Sequence, residues 1–391
     1  MLEMIASLPG FIAILALFAV GSIGSLLLRK QDELANCWGN GFAILGSLWG
    51  MLFASAVLIT GQTVSGGTTL AGLPLVSLSF RIDLLAAFFV FVISLIALFC
   101  SMYGIGYVRQ YYKQYSIGSL GLFYNLFIAG MLMVVSASNG IFFLIAWEVM
   151  SLASYCLVVY DRRDIQNVKA GYLYLIMTHV GALCILAAFL TLFAFTNSFD
   201  LTIIKQNILL VPETVRVFVA LLAFVGLGIK AGVIPLHIWL PSAHPAAPSH
   251  VSGLMSGVMI KTGIYMMIRL LLDVLQPLPA WFGLAVLVIG AISTLLGVLY
   301  ALTEHDIKRL LAYHSIENIG IILLGVGGAL VFLTLNQPGW ALVALTAALF
   351  HTLNHAVFKS LLFLSAGSVI HATHTRNIEK YGGLIKYMPL T

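Results

Sequence analysis

The sequence predicts an all-α protein that crosses a membrane about eleven times, mainly because charged residues are so scarce. Only 8% of its 391 residues are charged and 61% are hydrophobic, whereas soluble globular domains carry about 25% charged residues. This composition excludes a soluble enzyme, a disordered chain and a secreted disulfide scaffold. Five stretches without Asp, Glu, Lys or Arg each exceed the roughly 20 residues that a spanning helix needs. They lie between Glu33 and Arg81, Lys113 and Glu148, Lys169 and Asp200, Asp273 and Glu304, and Glu317 and Lys359.

The apolar stretches divide into eleven predicted helices, rather than the short alternating segments of a membrane β-barrel. These helices cover residues 4–28, 37–61, 83–107, 116–136, 140–160, 166–196, 214–240, 247–272, 280–303, 310–335 and 340–370. Between helices 2 and 3, a Gly-rich turn with alternating apolar positions predicts a small β-hairpin outside the bilayer at residues 61–79. After helix 11, a polar loop leads to Met388 and Pro389, a pattern typical of a helix start. We therefore expect a twelfth helix to follow, in a chain of which this sequence is a part.

Lysines and arginines in the loops predict the orientation in the membrane. With the N-terminus outside, twelve basic residues face the cytoplasm, four lie at or near the outer ends of helices, and three lie within helices. The twelve are Arg29, Lys30, Arg109, Lys113, Arg162, Arg163, Lys169, Lys308, Arg309, Arg376, Lys380 and Lys386. Topology thus accounts for the basic pI, which does not indicate nucleic-acid binding.

Four ionisable residues fall deep within otherwise apolar helices, namely Glu148, Lys230, Lys261 and Lys359. A charge at the bilayer centre costs about 2.5–3.5 kcal/mol on insertion scales. A buried ion pair that fixes helix packing is one explanation, but a single acid cannot pair with three lysines. We therefore expect these residues to serve a function, with Glu148 and Lys230 as the leading candidates.

Helix 7 is predicted to break just after Lys230. Pro235 follows five residues later, and its ring removes a backbone donor and clashes with the carbonyl of Ala231. The freed carbonyl groups could bind water or a cation. Irregular backbone at membrane depth is tolerated only where protein or a wet cavity surrounds it, and broken helices at mid-membrane are a feature of transporters.

Helix 8 carries His250 eleven residues before Lys261, a spacing of about three turns that favours a common helix face. Gly253 and Gly257 share that face and leave room either for water or for a close helix neighbour. His250 is therefore either a cap or interface residue or a carrier of protons.

Helix 11 carries His351, His355 and Lys359 at positions i, i+4 and i+8, which places them in one polar stripe. Histidine changes charge near neutral pH. The stripe therefore favours proton transfer, with a hydrogen-bonded core stripe as the alternative.

The remaining intramembrane histidines and one acid have simpler interpretations. His179 stands alone in helix 6 and is predicted to be a hydrogen-bonded packing residue. His237 and His244 flank the predicted break and are interpreted as loop-shaping residues. Glu317 either pairs with His314 or stays near the interface.

Two long motifs resemble the antiporter-like subunits of respiratory complex I and its relatives. They are GIKAGVIPLHIWLPSAHPAAPSHVSGLMSGVMIKTGIY and EHDIKRLLAYHSIENIGIILLG, and the second resembles the branch found in energy-converting hydrogenase and formate hydrogenlyase complexes. The resemblance extends from about residue 80 to the end of the sequence. It implies two inverted five-helix repeats, each with a broken helix. The chain would then divide into residues 1–115, a complete first repeat at 116–275 and an incomplete second repeat at 276–391.

The resemblance also implies roles for individual residues. The family's essential glutamate of helix 5 matches Glu148, and its lysine before the break matches Lys230. A further lysine of helix 8 matches Lys261, and the bridging lysine of helix 11 matches Lys359.

The sequence favours a non-catalytic, proton-translocating membrane subunit of a redox-driven complex in the bacterial inner membrane. Its partners would be nickel–iron and iron–sulfur subunits. We expect no redox cofactor or metal in this chain, because it has no P-loop, dinucleotide fingerprint or cysteine cluster. The alternatives are a subunit of a multisubunit cation/proton antiporter and a membrane anchor that transports nothing.

Overall fold

The computed structural model describes residues 2–70, 73–389 and 391. Within those residues, eleven helices are long and apolar enough to cross a membrane, which confirms the predicted all-α, multi-pass architecture. They are α1 Leu8–Leu27, α2 Asp32–Thr60, α3 Leu84–Tyr107, α4 Ile117–Ser136, α5 Gly140–Val158, α6 Ile165–Thr196, α7 Glu213–Ala231, α8 Ser249–Val274, α9 Ala280–Leu302, α10 Ile307–Thr334 and α11 Pro338–Thr373. Shorter helical segments are Leu2–Ile5, Val108–Tyr111, Leu201–Gln206, Ile208–Leu210, Leu240–Ala246, Ile378–Lys380 and Leu384–Lys386.

Polar residues explain where several helices begin, because a side-chain oxygen can accept the unpaired N–H groups of a first turn. Asp83 caps α3 by accepting from the N–H of Ala86. Asp306 caps α10 in the same way, through the N–H groups of Lys308 and Arg309. These caps fix the first turn of each helix and so decide which side chains point into the bundle.

The predicted hairpin is present as β1, Val64–Leu70, and β2, Leu73–Ile82, which pair antiparallel. Residues 71 and 72 at its tip lie outside the described part of the chain. The N–H of Ser138 donates to the carbonyl of Ser79 at 3.0 Å. The hairpin therefore packs against the α4–α5 connection at one end of the bundle.

Helix α7 ends at Ala231, which confirms the predicted break but shortens the predicted helix by nine residues. Gly232 follows with a left-handed φ of 81°, a conformation that glycine adopts without strain. The indole N–H of Trp239 donates to the freed carbonyl of Ile229 at 2.7 Å. That carbonyl is therefore satisfied by an indole, where the sequence suggested water or a cation.

Helix α8 forms the centre of the bundle, and every residue from 249 to 268 is buried. It packs against α3, α7 and α11. A β-carbon on Gly257 would lie 2.0 Å from Ser360 Oγ of α11. The glycine therefore permits close helix approach, which was one of the two predicted alternatives.

Helices α9 and α10 are joined by a glycine seam, which we define as Gly283, Gly290 and Gly297 of α9 with Gly320 and Gly327 of α10. A β-carbon on Gly320 would lie 2.5 Å from the backbone nitrogen of Thr294. Small residues at a helix interface allow backbones to approach closely within a membrane.

Candidate functional site

Lys230 lies one residue before the end of α7 and is 1% exposed. Its Nζ donates to Ser151 Oγ of α5 at 2.9 Å and to the Tyr174 hydroxyl of α6 at 2.7 Å. Among the residues that the structure describes, no carboxylate lies within 4 Å of this Nζ. The buried amine is thus held by neutral hydroxyl groups.

Glu148 occupies a more exposed position than the sequence suggested. Its side chain is 34% exposed and its Oε2 lies 3.5 Å from His179 Nε2. Both residues line an apolar groove of about 510 Å³ between α5 and α6. Because successive residues of a helix are about 100° apart, Trp147 and Ser151 point into the bundle while Glu148 points to this groove. His179 Nδ1 also lies 2.9 Å from the carbonyl of Leu175, so His179 is hydrogen-bonded as predicted, although its side chain is half-exposed.

Tyr174 connects Lys230 to the segment after the helix break. Its hydroxyl lies 2.6 Å from Ser154 Oγ, and its ring centroid lies 4.8 Å from that of Trp239. The ring of Trp239 in turn contacts His244 at 5.8 Å. Aromatic side chains thus pack continuously from the first buried lysine to a buried histidine.

His244 is completely buried, which corrects its interpretation as a loop-shaping residue. Its ring lies between Trp239 and Phe363. In the described part of the chain, neither ring nitrogen has a hydrogen-bond partner. The charges of three lysines, Lys261, Lys308 and Lys359, all act on it. The sequence did not indicate this burial, because the prolines at 241, 245 and 248 predict irregular backbone around His244.

Lys261 donates from Nζ to the backbone carbonyl of Ser256 at 2.7 Å. That carbonyl lies in a π-helical segment, Met255–Met259, within α8. Widened turns of this kind loosen the regular i→i+4 hydrogen bonding and often occur at functional sites. The helix thus supplies an oxygen partner for its own buried lysine.

His250 does not share the neighbours of Lys261, although their spacing favoured a common face. Its ring contacts Tyr107 at 5.7 Å and Tyr124 at 5.2 Å, both on other helices. The π-helical segment between the two residues changes the helical phase. His250 therefore lies at the interface between α8 and these two helices.

The stripe on α11 is present as predicted. His351 Nε2 lies 2.9 Å from Asn318 Oδ1 of α10, and its ring stacks on His355 at 6.2 Å. Neither nitrogen of His355 has a partner in the described structure. Lys359 is 1% exposed and donates to the carbonyl of Leu311 at 3.3 Å.

Glu317 Oε2 of α10 lies 2.6 Å from His314 Nδ1, which confirms the first predicted alternative for this pair. The pair is only partly buried, with side chains 33% and 20% exposed. Glu317 directly precedes Asn318, and the pair therefore borders the histidine stripe.

Lys308 is a buried lysine that the sequence assigned to a cytoplasmic loop. It is 3% exposed, and its Nζ donates to the carbonyl of Ala247 at 2.8 Å. Because Asp306 caps α10, Lys308 lies in the first helical turn and points into the protein. Asp306 is the sequence signal that could have identified it, because an aspartate two residues earlier is a favourable helix cap.

The site thus contains amines, imidazoles and hydroxyls, all of which exchange protons. No cluster of three or more His, Cys, Asp or Glu side chains suited to a metal ion occurs within residues 2–70, 73–389 and 391. Four lysines of the described chain are buried in the bundle: Lys230, Lys261, Lys308 and Lys359.

This fold and site define a class of protein. Its members are multi-pass membrane proteins that have a broken helix and buried lysines at the centre of the bundle. The chain belongs to the transmembrane family described as NADH:quinone oxidoreductase/Mrp antiporter, whose profile matches residues 137–391. Its relatives include hydrogenase-4 component B of Escherichia coli, 44% identical over 96% of this chain and 56% of that protein. Formate hydrogenlyase subunit 3 of the same organism is 36% identical over 96% of this chain and 59% of that protein.

Among solved structures, the Mrp complex from Dietzia sp. DQ12-45-1b is similar to this chain. The TM-score is 0.82 at 25% sequence identity, over 97% of this chain and 40% of that one. The chain spans little more than half the length of the two curated relatives. These comparisons confirm the resemblance that the two long motifs indicated.

Proposed function

We propose that this chain is a proton-translocating membrane subunit of a redox-driven oxidoreductase complex of the hydrogenase-4 or formate hydrogenlyase type. The observation that carries the proposal is the set of buried lysines held by neutral oxygens. An amine without a carboxylate partner can give up and regain a proton, whereas arginine stays charged. A buried charge in a membrane is costly and indicates function.

In this proposal, protons move through Lys230, Lys261 and Lys359. Glu148 does not contact Lys230, but its charge acts on the amine. A change of charge at Glu148 would therefore alter the protonation of Lys230 without a direct contact. His351 and His355 would carry protons along α11.

His250 has a separate place in the proposed pathway. It contacts two tyrosines at the N-terminal end of α8. The charge of Lys308 also acts on its imidazole. It would serve as a proton-transfer group on that side of the bundle.

The proposed partners are nickel–iron and iron–sulfur subunits, which would perform the redox chemistry. One relative is named as a component and the other as a subunit. These names support the assembly of this chain into a complex. We place the chain in the bacterial inner membrane with its N-terminus outside, an orientation supported by the distribution of basic residues.

A multisubunit cation/proton antiporter is the second candidate, favoured by the similarity to the Mrp complex. Such a protein needs no redox partner. Sodium-dependent proton movement in membrane vesicles without an electron donor would favour it.

The test is Lys230→Met in the full-length protein within its complex. Proton uptake into inverted vesicles would be measured with a pH-sensitive dye during hydrogen- or formate-driven turnover, together with the turnover rate. We expect proton uptake to fall at least tenfold while the partner subunits keep their chemistry. Methionine preserves the length of the side chain but cannot carry a proton.

Lys205→Met is the matched control, because Lys205 lies at the surface in an exposed ion pair with Asp273. It should leave proton uptake unchanged. Normal uptake in a fully assembled Lys230→Met complex would contradict the proposal, and would support an anchor that transports nothing.

A further inference from the structure

A polar cavity of about 130 Å³ lies at the side of the bundle where α3, α5 and α11 end and α8 begins. Its wall includes Tyr107, Tyr160, Asp161, Lys308 and Arg376. A cavity of this size, lined by polar groups, has room for several hydrogen-bonded waters. This side carries Arg109, Arg162 and the other residues of the predicted cytoplasmic face.

Lys308 connects this cavity to the interior of the bundle. It forms part of the cavity wall, and its Nζ donates to the carbonyl of Ala247, another wall residue, at 2.8 Å. The same Nζ lies 3.5 Å from Ser252 Oγ, which is buried inside the bundle. Ser252 Oγ in turn donates to the carbonyl of His244 at 2.7 Å. The amine is therefore one hydroxyl group away from the backbone of the buried histidine.

His244 is the buried imidazole on which the charges of Lys261, Lys308 and Lys359 all act. Its ring contacts, Trp239 and Phe363, are aromatic and do not titrate here. These contacts account for its burial, but within the described chain they leave both ring nitrogens without a hydrogen-bond partner. The imidazole is therefore free to accept and release a proton.

We propose that Lys308 and His244 form the proton entry route from this cavity to Lys261 and Lys359. This proposal rests on the proposed function. A hydronium ion in the cavity protonates the neutral Lys308 amine and leaves water, and Lys308 then gives a proton to one ring nitrogen of His244. The imidazolium releases the proton on its other nitrogen to Lys261 or Lys359. Each step breaks one N–H or O–H bond and forms one N–H bond, so that one positive charge moves inward.

These transfers require short-lived contacts, because the described structure has no hydrogen bond between His244 and any of the lysines. One bridging water, or rotation of a lysine side chain, supplies each contact. A bridging water is nearly as effective as a direct hydrogen bond. The route is therefore a relay of titrating groups.

The experiment compares four variants in the complete complex in inverted vesicles and counts protons moved per redox turnover. His244→Gln keeps polar atoms in the site but cannot become charged. Lys308→Arg keeps the charge but cannot release a proton. We expect each to lower protons per turnover at least fivefold with normal amounts of assembled complex. His237→Gln, seven residues before His244 and stacked on Tyr300, is the matched control and should match the unmodified chain.

Lys230→Met separates this proposal from the proposed function. If Lys230→Met stops transport while His244→Gln and Lys308→Arg transport normally, the entry route is overturned and the proposed function stands. If all three transport normally, the proposed function itself fails.

A rescue measurement distinguishes proton transfer from packing. His244→Ala leaves space for a free ring, and added imidazole should restore at least half of the transport. Added 1,2,4-triazole has a similar shape but is a much weaker base, and should not restore it. Equal rescue by both compounds would show that His244 only fills space and would overturn its role in the relay.

Discussion

At the scale of single residues, the buried lysines differ from the partly buried Arg269 in the oxygens that they contact. Lys230, Lys261 and Lys359 donate to hydroxyl or carbonyl oxygens. Arg269 instead forms a two-pronged contact with Asp83, with both N–O distances at 2.7 Å. Charge-assisted pairs of this kind are stronger than bonds to neutral oxygens. The lysines are thus positioned without a permanent counter-charge, and the arginine is held in a structural pair.

Replacement of Asp83 tests that structural pair. Burial raises the pKa of Asp83, but the hydrogen bonds and charge of Arg269 outweigh it and hold the pKa below its usual value. Asp83→Asn keeps an acceptor for the N–H of Ala86 and removes the charge. We expect a loss of about 2 kcal/mol in the free energy of unfolding at pH 7, measured by thermal unfolding in detergent.

The loss in the free energy of unfolding caused by Asp83→Asn should become smaller as the pH falls. A carboxyl group with a lowered folded pKa stabilises the fold above its unfolded pKa of about 3.9. That contribution disappears as the pH falls through the folded pKa. The two proteins should therefore converge in stability below pH 4. Asp164→Asn is the control, because Asp164 caps α6 and forms no ion pair within the described residues. An equal loss in both variants at pH 7 would contradict the interpretation.

The sequence identified three of the four buried lysines, because a lysine within a long apolar stretch is conspicuous. Lys308 was missed because it lies beside other basic residues at a helix start, where charge counting assigns it to a loop. The position of Glu148 was also missed. Helical phase decides whether a residue faces the interior or the surface, and an apolar stretch that is hydrophobic all round does not reveal its phase.

At the scale of elements, glycines decide how closely helices pack. In the glycine seam, a β-carbon added to Gly290 of α9 would lie 3.0 Å from the backbone carbonyl oxygen of Gly320 of α10. No large side chain fits between the two backbones there. Gly328, also on α10, has only Ala344 Cβ nearby, at 3.6 Å.

Gly320→Ala should therefore destabilise the protein by about 1–3 kcal/mol, because the added methyl group would overlap the α9 backbone. Gly328→Ala is the control on the same helix, and we expect it to be neutral or to gain up to about 1 kcal/mol from helix propensity. Thermal unfolding in detergent would measure both. Equal effects of the two substitutions would show that the seam does not limit packing.

The helices and their order could be predicted from the sequence, and so could the break of α7, because proline has a local steric effect. The π-helical segments of α8 could not. Such turns arise from packing around the helix, and no residue in Met255–Met259 signals one. The start of α2, at Asp32, and the end of α11, at Thr373, also differ by several residues from the prediction, since tertiary contacts and caps set the terminal turns.

At the scale of the whole molecule, the two ends of the bundle carry different segments. The hairpin contacts the N-terminal region, where Gly66 lies against Leu8. At the opposite end, the N–H of Ile378 donates to the carbonyl of His305 at 2.9 Å, so the segment after α11 packs beside the α9–α10 connection. An odd number of spans places these segments on opposite sides of a membrane.

Cysteine labelling tests the proposed orientation. Ser65→Cys on the hairpin and Lys380→Cys after α11 are both at exposed positions. With the N-terminus outside, a membrane-impermeant maleimide should label Ser65→Cys in intact cells. It should label Lys380→Cys only after the membrane is opened.

The unmodified chain provides the background from its four native cysteines. The reverse labelling pattern would show that the N-terminus faces the cytoplasm. Labelling of both positions in intact cells would contradict an odd number of membrane crossings between them.

Cavities at both ends have a consequence for the electric field within the protein. The cavity at Lys308 has a counterpart of about 340 Å³ at the other end, lined by Arg81, Lys205 and Arg269. Water in two such cavities conducts well compared with packed protein, so most of a membrane potential would fall across the layer between them. Moving one charge through 100 mV changes its energy by about 2.3 kcal/mol. A proton that crosses this layer along the membrane normal would therefore sense nearly the whole voltage, and each step between buried groups would sense the share of the layer that it crosses.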